Sequence, residues 1–423
     1  MEIWIIILVL VLIALAGAPI FSIIAAIGLL AFTAVGTDPA ALIAELYRLV
    51  DFPALIAIPL FTFAGYLLAA SQAPKRLINL AESLFGWMPG GLAVVALFST
   101  AIFTAFSGAS GVTIIALGGL IYPALIKQKY PERFSLGLMT TSGSLGLLFP
   151  PSLPIILYSL VASVNIDKLF VAGLIPGILL LVILSVYSIR VGIKAKVPRT
   201  PFVWKTVWGA LKAAVWEAPL PVIVIGGIYG GVFTATEAAA VTAFYVLVVE
   251  VFIRREIQFF TGLPHVIRES MILVGAILIM LGAAMGLTSY LIDEQVPMKL
   301  FQFISLYVSS KLVFLIILNL FILVMNMVEI FSAIIIVVPI IVPVALQYGV
   351  DPIHLGIIFL LNLEIGYMTP PLGLNLFLSS LRFERPLPEV YRTVLPFFAL
   401  LLSVLLLITY FPGLSLVLTG AAQ

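Results

Sequence analysis

The sequence predicts an all-α membrane protein of many spans, built as an inverted repeat in which each half carries one re-entrant helical hairpin and one broken helix. Three observations predict it. Of the 423 residues, 63% are hydrophobic and 9% are charged, whereas a soluble chain of this length needs far more charge to cover its surface. Apolar runs long enough to cross a bilayer, about 20 residues each, recur from end to end. Two Pro-Pro pairs interrupt such runs at matching places: Pro150-Pro151 in LGLLFPPSLP and Pro370-Pro371 in IGYMTPPLGL, 370 − 150 = 220 residues apart.

In order, the runs lie at 3–17, 19–36, 53–70, 91–126, 134–163, 168–189, 217–234, 235–253, 270–292, 311–346, 353–381 and 393–411. The first has no basic residue before it, so it reads as a retained span and not a secretory signal. Runs 91–126 and 311–346 are too long for one crossing. Each carries small or polar residues at its middle, FSGASG (Phe106 to Gly111) in one and NMVEIFS (Asn326 to Ser332) in the other. A helix that enters, turns at mid-membrane and leaves on the same side fits both; these are hairpin 1 and hairpin 2. Runs 134–163 and 353–381 hold the Pro-Pro pairs. A proline pair removes backbone donors and disfavours helix at the preceding residue. The freed carbonyls must then face protein or a cavity, because lipid cannot satisfy them. Between the runs, 38–51, 200–215 and 255–269 are amphipathic. The middle one, with Trp204 and Trp208 beside Lys205 and Lys212, suits the headgroup layer of membrane lipid.

Lysine and arginine orient the chain. Lys75, Arg76, Lys127, Lys129 and Arg133 surround hairpin 1, whereas Asp293, Glu294 and Asp351 accompany Lys299 and Lys311 around hairpin 2. Hairpin 1 is therefore expected to open to the cytoplasm and hairpin 2 to the outside. Ten spans and two hairpins thread through these constraints with both termini outside.

The 220-residue offset also pairs Pro123 with Pro343, Gly146 with Gly366 and Ser159 with Ser379. Upstream, APKRL (Ala73 to Leu77) matches VPMKL (Val296 to Leu300), and GAPIF (Gly17 to Phe21) matches GGVFT (Gly230 to Thr234). The repeat runs roughly 1–190 against 216–411, and the charges give its copies opposite orientations. Paired broken helices in inverted repeats point to a secondary transporter with its site near the midplane.

Other classes find little support. The chain has no cysteine, which excludes disulfides, thiol catalysis and Cys-ligated metals. A net charge of +2, scattered along the chain, suggests no nucleic-acid partner. His265 and His354 stand alone, offering neither a catalytic triad nor metal spacing. No GxxxxGK[ST] loop is present, so no ATP hydrolysis is expected. The chain reads as a non-enzyme without a cofactor.

The stretches IPLFTFAGYLL (Ile58 to Leu68), SGASG, GSLGLLFPPS (Gly143 to Ser152), GGVFTATEAAA (Gly230 to Ala240) and MTPPLGLNLF (Met368 to Phe377) resemble the large membrane subunit of the tripartite ATP-independent periplasmic (TRAP) transporters, DctM-like members of the ion-transporter superfamily. The resemblance covers nearly the whole chain. It departs from the family pattern at Ala235, usually proline, and at Glu329, often aspartate. It implies an elevator-type transporter in a bacterial inner membrane, taking up an organic anion such as a C4-dicarboxylate or sialic acid with sodium as coupling ion. It implies two partners, a small membrane subunit of about four spans and a periplasmic substrate-binding protein. The alternative is a self-sufficient dicarboxylate or citrate sodium symporter of the same superfamily. On this reading 1–70 and 217–292 are scaffold, 71–190 and 293–411 form the moving transport domain, 191–216 is a cytoplasmic linker and 412–423 a tail.

Hydroxyl and carbonyl oxygens suit a hard cation, and glycine lets backbone curl around it. One sodium site is expected at Ser107, Gly108, Ser110, Gly143 and Gly146, and a second at Asn326, Glu329, Gly366, Thr369 and Pro370. Ser152 and Asn375, just past the breaks, are candidates for substrate. Intramembrane acids are costly and usually functional. Glu237 is expected either to hold helix ends or to take part in transport. Glu364, just over one turn before the second break, is placed to neutralise a cation.

Overall fold

Proline and glycine cut the apolar runs into shorter helices. The computed structural model describes every residue except 1–8, 11, 14–16, 53, 200, 326–329, 372 and 421–423, so the expected span 3–17 lies mostly outside the described residues. The first half comprises α1 (Ile20–Ala34), α2 (Ala40–Arg48), α3 (Ala54–Ala70) and α4 (Ala73–Phe85), the last two meeting at a 76° bend. Hairpin 1 follows as α5 (Gly91–Ser107), α6 (Ser110–Ala116) and α7 (Gly118–Lys127). The first broken helix is α8 (Glu132–Ser142), a 3-10 turn Leu145–Leu148 and α9 (Leu153–Val161), bent by 46°. Then come α10 (Ile166–Lys194) and the linker helix α11 (Trp204–Ala213).

The second half repeats the order. Helices α12 (Pro219–Tyr229) and α13 (Ala235–Leu247, ending in a π-helical turn Val248–Ile253) lead to α14 (Gly262–Asp293) and α15 (Val296–Ser305). Hairpin 2 is α16 (Lys311–Met325) and α17 (Ile330–Gln347); its tip lies outside the described residues. The second broken helix is α18 (Pro352–Gly366) and α19 (Leu374–Arg382), followed by α20 (Leu387–Tyr410) and the short α21 (Gly413–Leu416). Both Pro-Pro bonds are cis. Among the described residues five helices are each long and apolar enough to cross a membrane, or up to eight if each bent pair is one span.

Some elements differ from expectation, among them α15, which like α4 lies outside the apolar runs. The amphipathic arm at 255–269 is not a separate helix, because 262–269 are the opening turns of the 32-residue α14. No glycine or proline stands between Leu263-Pro264 and the apolar run, so the helix simply continues. Conversely, α4 forms where no apolar run exists. Pro74 in its first turn starts it, and its polar residues hide it from hydropathy.

Each hairpin leaves on the side it entered. At the mouth of hairpin 1 the Ala93 N–H donates to the Tyr130 hydroxyl (3.4 Å). At the mouth of hairpin 2 Lys311 Nζ donates to the Gly349 carbonyl (2.6 Å), and Tyr348 stacks on Phe314 with centroids 4.1 Å apart. Helix α10 connects the two mouths. Leu169 near its start packs on Gly356, just past hairpin 2, and Gly192 near its end packs on Gly90, just before hairpin 1. Its 29 residues cover about 44 Å at 1.5 Å per residue. The hairpins therefore open to opposite faces, as an inverted repeat requires.

The packing shows the same exchange. Helix α3 packs on α13 and α14 on α1, while α17 packs on α9 and α6 on α19. Each pair becomes the other when the halves are swapped. At the face carrying hairpin 1's mouth, Arg76 of α4 reaches Glu217 (2.5 Å) and pairs with Glu256, with Glu250 at 3.6 Å. This ties α4 to α12 and the end of α13 through a largely buried charge cluster.

Close approach at membrane depth rests on a few glycines. A methyl group on Gly146 would collide with the backbone of Ala101 and Ala105 in α5 and lie 2.5 Å from Thr104 Cβ, whereas Gly275 in α14 has open space around it. Gly146→Ala is therefore expected to destabilise the solubilised protein by about 1–3 kcal/mol, as overpacking does, and Gly275→Ala to be neutral or slightly stabilising. Melting temperatures of the two variants beside the parent check this; equal melting would mean the Gly146 contact yields freely.

Candidate substrate and ion site between the hairpin tips

Hairpin 1 turns at Gly108, where φ is +66°, a conformation that glycine adopts without strain. Its tip meets the start of α17 and the second break around a cavity of about 590 Å³. Gly108, Ser110, Ser332, Tyr367 and Leu374 line one side, and Leu273, Ile277 and Met280 of α14 line the other. Helices α17 and α19 both begin at this wall. Helix N-termini carry partial positive charge.

Around hairpin 1's tip the structure gathers oxygens. The Thr104 hydroxyl lies 2.7 Å from that of Thr113 and donates to the Gly143 carbonyl (2.8 Å). Ser107 Oγ is 3.5 Å from the Ala109 carbonyl. Ser110 and Ser142 are buried, and their hydroxyls make no hydrogen bond among the described residues. Gly143 sits against Ile114 and the Ser110 backbone. Ser107, Gly108, Ser110 and Gly143 are thus brought together, and these donors fit a hard monovalent cation. Gly146 plays a different part: it is the packing contact with α5, and its carbonyl accepts from the Phe149 N–H (3.1 Å).

The second break closes largely on itself. The Gly366 carbonyl accepts from the Thr369 N–H (3.1 Å), and the Thr369 hydroxyl donates to the Ile365 carbonyl (2.7 Å). Pro370 precedes a turn whose Pro371 carbonyl accepts from the Tyr391 hydroxyl (3.0 Å). Asn326 and Glu329 lie outside the described residues.

Ser152 and Asn375 stand one layer behind the cavity wall. Asn375 Nδ2 donates to the Thr140 carbonyl (3.1 Å) and its backbone N–H to the Tyr367 carbonyl (3.0 Å), so this residue joins the two breaks. Its Oδ1 and the Ser152 hydroxyl are buried without a hydrogen bond among the described residues. Glu237 forms a capping box with Thr234 at the exposed first turn of α13, where its carboxylate holds its own helix end. Glu364 is fully buried in α18, and among the described residues neither oxygen has a hydrogen-bond partner.

No lysine, arginine or histidine lines the cavity among the described residues. An anion placed here would meet hydroxyls and helix N-termini. Sequence reasoning missed Thr104, Thr113 and Thr140. A signal was present: threonines on both arms of hairpin 1, each within six residues of the tip, at a depth where hydroxyls need partners.

A family model described as "Tripartite ATP-independent periplasmic transporter, DctM component" matches residues 5–414. The C4-dicarboxylate TRAP transporter large permease protein DctM of Pseudomonas aeruginosa is 37% identical over 376 residues, 88% of this chain and 88% of that protein. The sialic acid TRAP transporter large permease protein SiaM of Vibrio cholerae is 33% identical over 374 residues, 87% of each. The isethionate TRAP transporter permease protein DctMQ of Oleidesulfovibrio alaskensis is 34% identical over 410 residues, 96% of this chain and 64% of that longer protein. Among solved structures, the Alcanivorax borkumensis YdaH transporter superposes with a TM-score of 0.60 over 88% of this chain and 87% of that one, at 14% identity, and so shares the fold.

Thr104→Val keeps the shape of the side chain and removes both hydrogen bonds, leaving the Gly143 carbonyl short of a donor. The expected loss is about 1–3 kcal/mol, read as a lowered melting temperature. Thr100→Val, whose hydroxyl bonds only within its own helix (2.7 Å to the Ala96 carbonyl), is expected to lose less. An equal loss would mean that the bond across the hairpin adds nothing.

Proposed function

The chain belongs to the DctM family of tripartite ATP-independent periplasmic transporter components, and from that premise we propose that it is the large membrane subunit of a sodium-coupled importer of an organic anion. The observation that carries the proposal is the meeting of two oppositely opening hairpins at a cavity that holds hydroxyls and helix N-termini but no cationic side chain among its described residues. The names of relatives point to a carboxylate of the C4-dicarboxylate or sialic acid kind. A periplasmic binding protein delivers it, a small four-span subunit supports the scaffold, and the complex sits in a bacterial inner membrane. The positive charges at hairpin 1's mouth put that mouth in the cytoplasm.

The mechanism is an elevator. The two hairpins, the two broken helices, α10 and α20 move together, because the breaks are cross-linked through Asn375 and Thr140 and the hairpin through Thr104 and Gly143. Helices α1 to α3 and α12 to α14 stay in place. Sodium at hairpin 1's tip, and a second ion at the second break with Asn326 and Glu329, supply the positive charge that the anion needs. A self-sufficient symporter would transport without the binding protein; uptake into proteoliposomes with and without that protein decides between the two.

Ser110→Ala deletes a hydroxyl that has no protein partner, whereas Thr369→Ala deletes one already satisfied by Ile365. The first is expected to weaken sodium binding by about 1–3 kcal/mol, roughly five- to 150-fold, and the second by less. The check is a melting-temperature series in sodium, with potassium holding ionic strength constant, since a bound ion stabilises by mass action. Identical sodium shifts in parent and Ser110→Ala would remove Ser110 from the site.

Val112 and Ala276 line the cavity from opposite sides, and the chain has no native cysteine. A bifunctional thiol reagent joining Val112→Cys to Ala276→Cys is expected to stop uptake, with reductive release restoring it. Undiminished uptake after complete crosslinking would rule out movement of hairpin 1 past α14.

A further inference from the structure

A second cavity, of about 520 Å³, lies between α8, α10 and α20 at the face carrying hairpin 1's mouth. Three helices each bring one cation to its rim: Arg133, Lys194 and Arg392. Its floor is an aromatic triad. Phe134 and Phe397 have ring centroids 5.8 Å apart, Tyr187 meets Phe397 edge-on at 5.3 Å, and Phe134 and Tyr187 are 5.8 Å apart. No carboxylate lines it among the described residues. The neighbouring Glu132 is ion-paired with Arg385 and receives the Tyr122 hydroxyl, so it does not neutralise the three. The walls are held rigidly: Gly137 packs against the Thr393 backbone and Phe397, clamping α8 to α20 just above the floor.

We propose that this groove binds the headgroup of an anionic phospholipid. Three cations gathered without a counter-charge repel one another, and a phosphate among them removes that cost. Arginine's planar fork suits phosphate oxygens. Basic pockets between spanning helices on the cytoplasmic side attract anionic lipids, and that leaflet is negatively charged. The aromatic floor takes the apolar part below the phosphate. A free phosphate or a soluble organic anion would leave the aromatic floor unused. The clamp at Gly137 makes the groove preformed, which lowers the cost of binding. This inference rests on the proposed cytoplasmic placement of hairpin 1's mouth but not on what the protein transports, since it concerns a different cavity.

The test uses the full chain purified in detergent. Native mass spectrometry titrates phosphatidylglycerol, phosphatidylcholine, glycerol phosphate and inorganic phosphate. The expected result is a retained phosphatidylglycerol adduct, at least tenfold tighter than phosphatidylcholine and not displaced by millimolar phosphate. The triple variant Arg133→Ala, Lys194→Ala, Arg392→Ala is expected to weaken it tenfold or more, whereas Lys127→Ala, Lys129→Ala, Lys205→Ala leaves it unchanged. Should the triple variant fail to fold, the single Arg392→Gln and a photoreactive phosphatidylglycerol on the parent decide, with label expected in the peptides containing Tyr187 to Ala195 or Arg392 to Phe397. Equal weakening by both triples, equal binding of phosphatidylcholine, full displacement by phosphate, or label placed elsewhere each overturns the proposal.

Discussion

A helix cannot be broken at membrane depth unless protein satisfies the backbone it frees. That constraint organises this molecule. The first interrupted helix finds partners in the other half and in a hairpin: Asn375, at the start of α19, donates to the Thr140 carbonyl of α8, and Thr104 of hairpin 1 donates to the Gly143 carbonyl just after α8. The second turns its freed groups back on itself, with the Thr369 N–H on the Gly366 carbonyl and the Asn375 N–H on the Tyr367 carbonyl. Neither break is tolerable with those groups unpaired. Together they form a single polar seam inside an apolar body, and the inverted repeat places a second hairpin against that seam from the opposite face.

The seam also explains the chemistry available. Groups that satisfy broken backbone are hydroxyls, amides and helix ends, so the central cavity is lined by these and by apolar side chains from α14. A permanent cation there would be paid for at every step in which the site lay open to lipid or was left without an anion. Mobile charge is the physical alternative: an ion that arrives with the substrate and leaves with it. The buried hydroxyls of Ser110 and Ser142, which find no partner among the described residues, are the oxygens that the proposed ion would use.

Fixed cations are instead found at the face of hairpin 1's mouth. Some are neutralised internally, as Arg76 is by the acids of α12 and the end of α13. Others, such as those above the Phe134–Tyr187–Phe397 triad, have no acid lining their groove. The first kind joins α4 to its neighbours; the second rims the groove proposed to take an anionic lipid headgroup. Removing Arg76 would leave carboxylates buried without compensation, which is far costlier than losing an exposed pair.

Much of the fold was legible in the chain itself. Hydropathy marked the runs, their excess length marked both hairpins, and the Pro-Pro pairs marked both breaks, because each is a local property of consecutive residues. Lysine and arginine gave the opposite orientations, which α10 bears out by joining the two mouths. Local pattern failed where structure depends on what lies opposite. It missed α4, whose polar residues are satisfied by acids roughly 140 to 180 positions away, and it separated an arm from α14 that no residue interrupts. At the site, the tip residues Ser107, Gly108 and Ser110 were visible because small and polar residues stand out in an apolar run. Thr104, Thr113 and Thr140 were not, because a threonine in a helix usually bonds its own preceding turn. Only the tertiary structure decided that Thr104 reaches across to Gly143, that Gly146 serves packing, and that Asn375 joins two breaks 220 residues apart. Contacts between distant segments depend on distances in space, which no stretch of sequence contains.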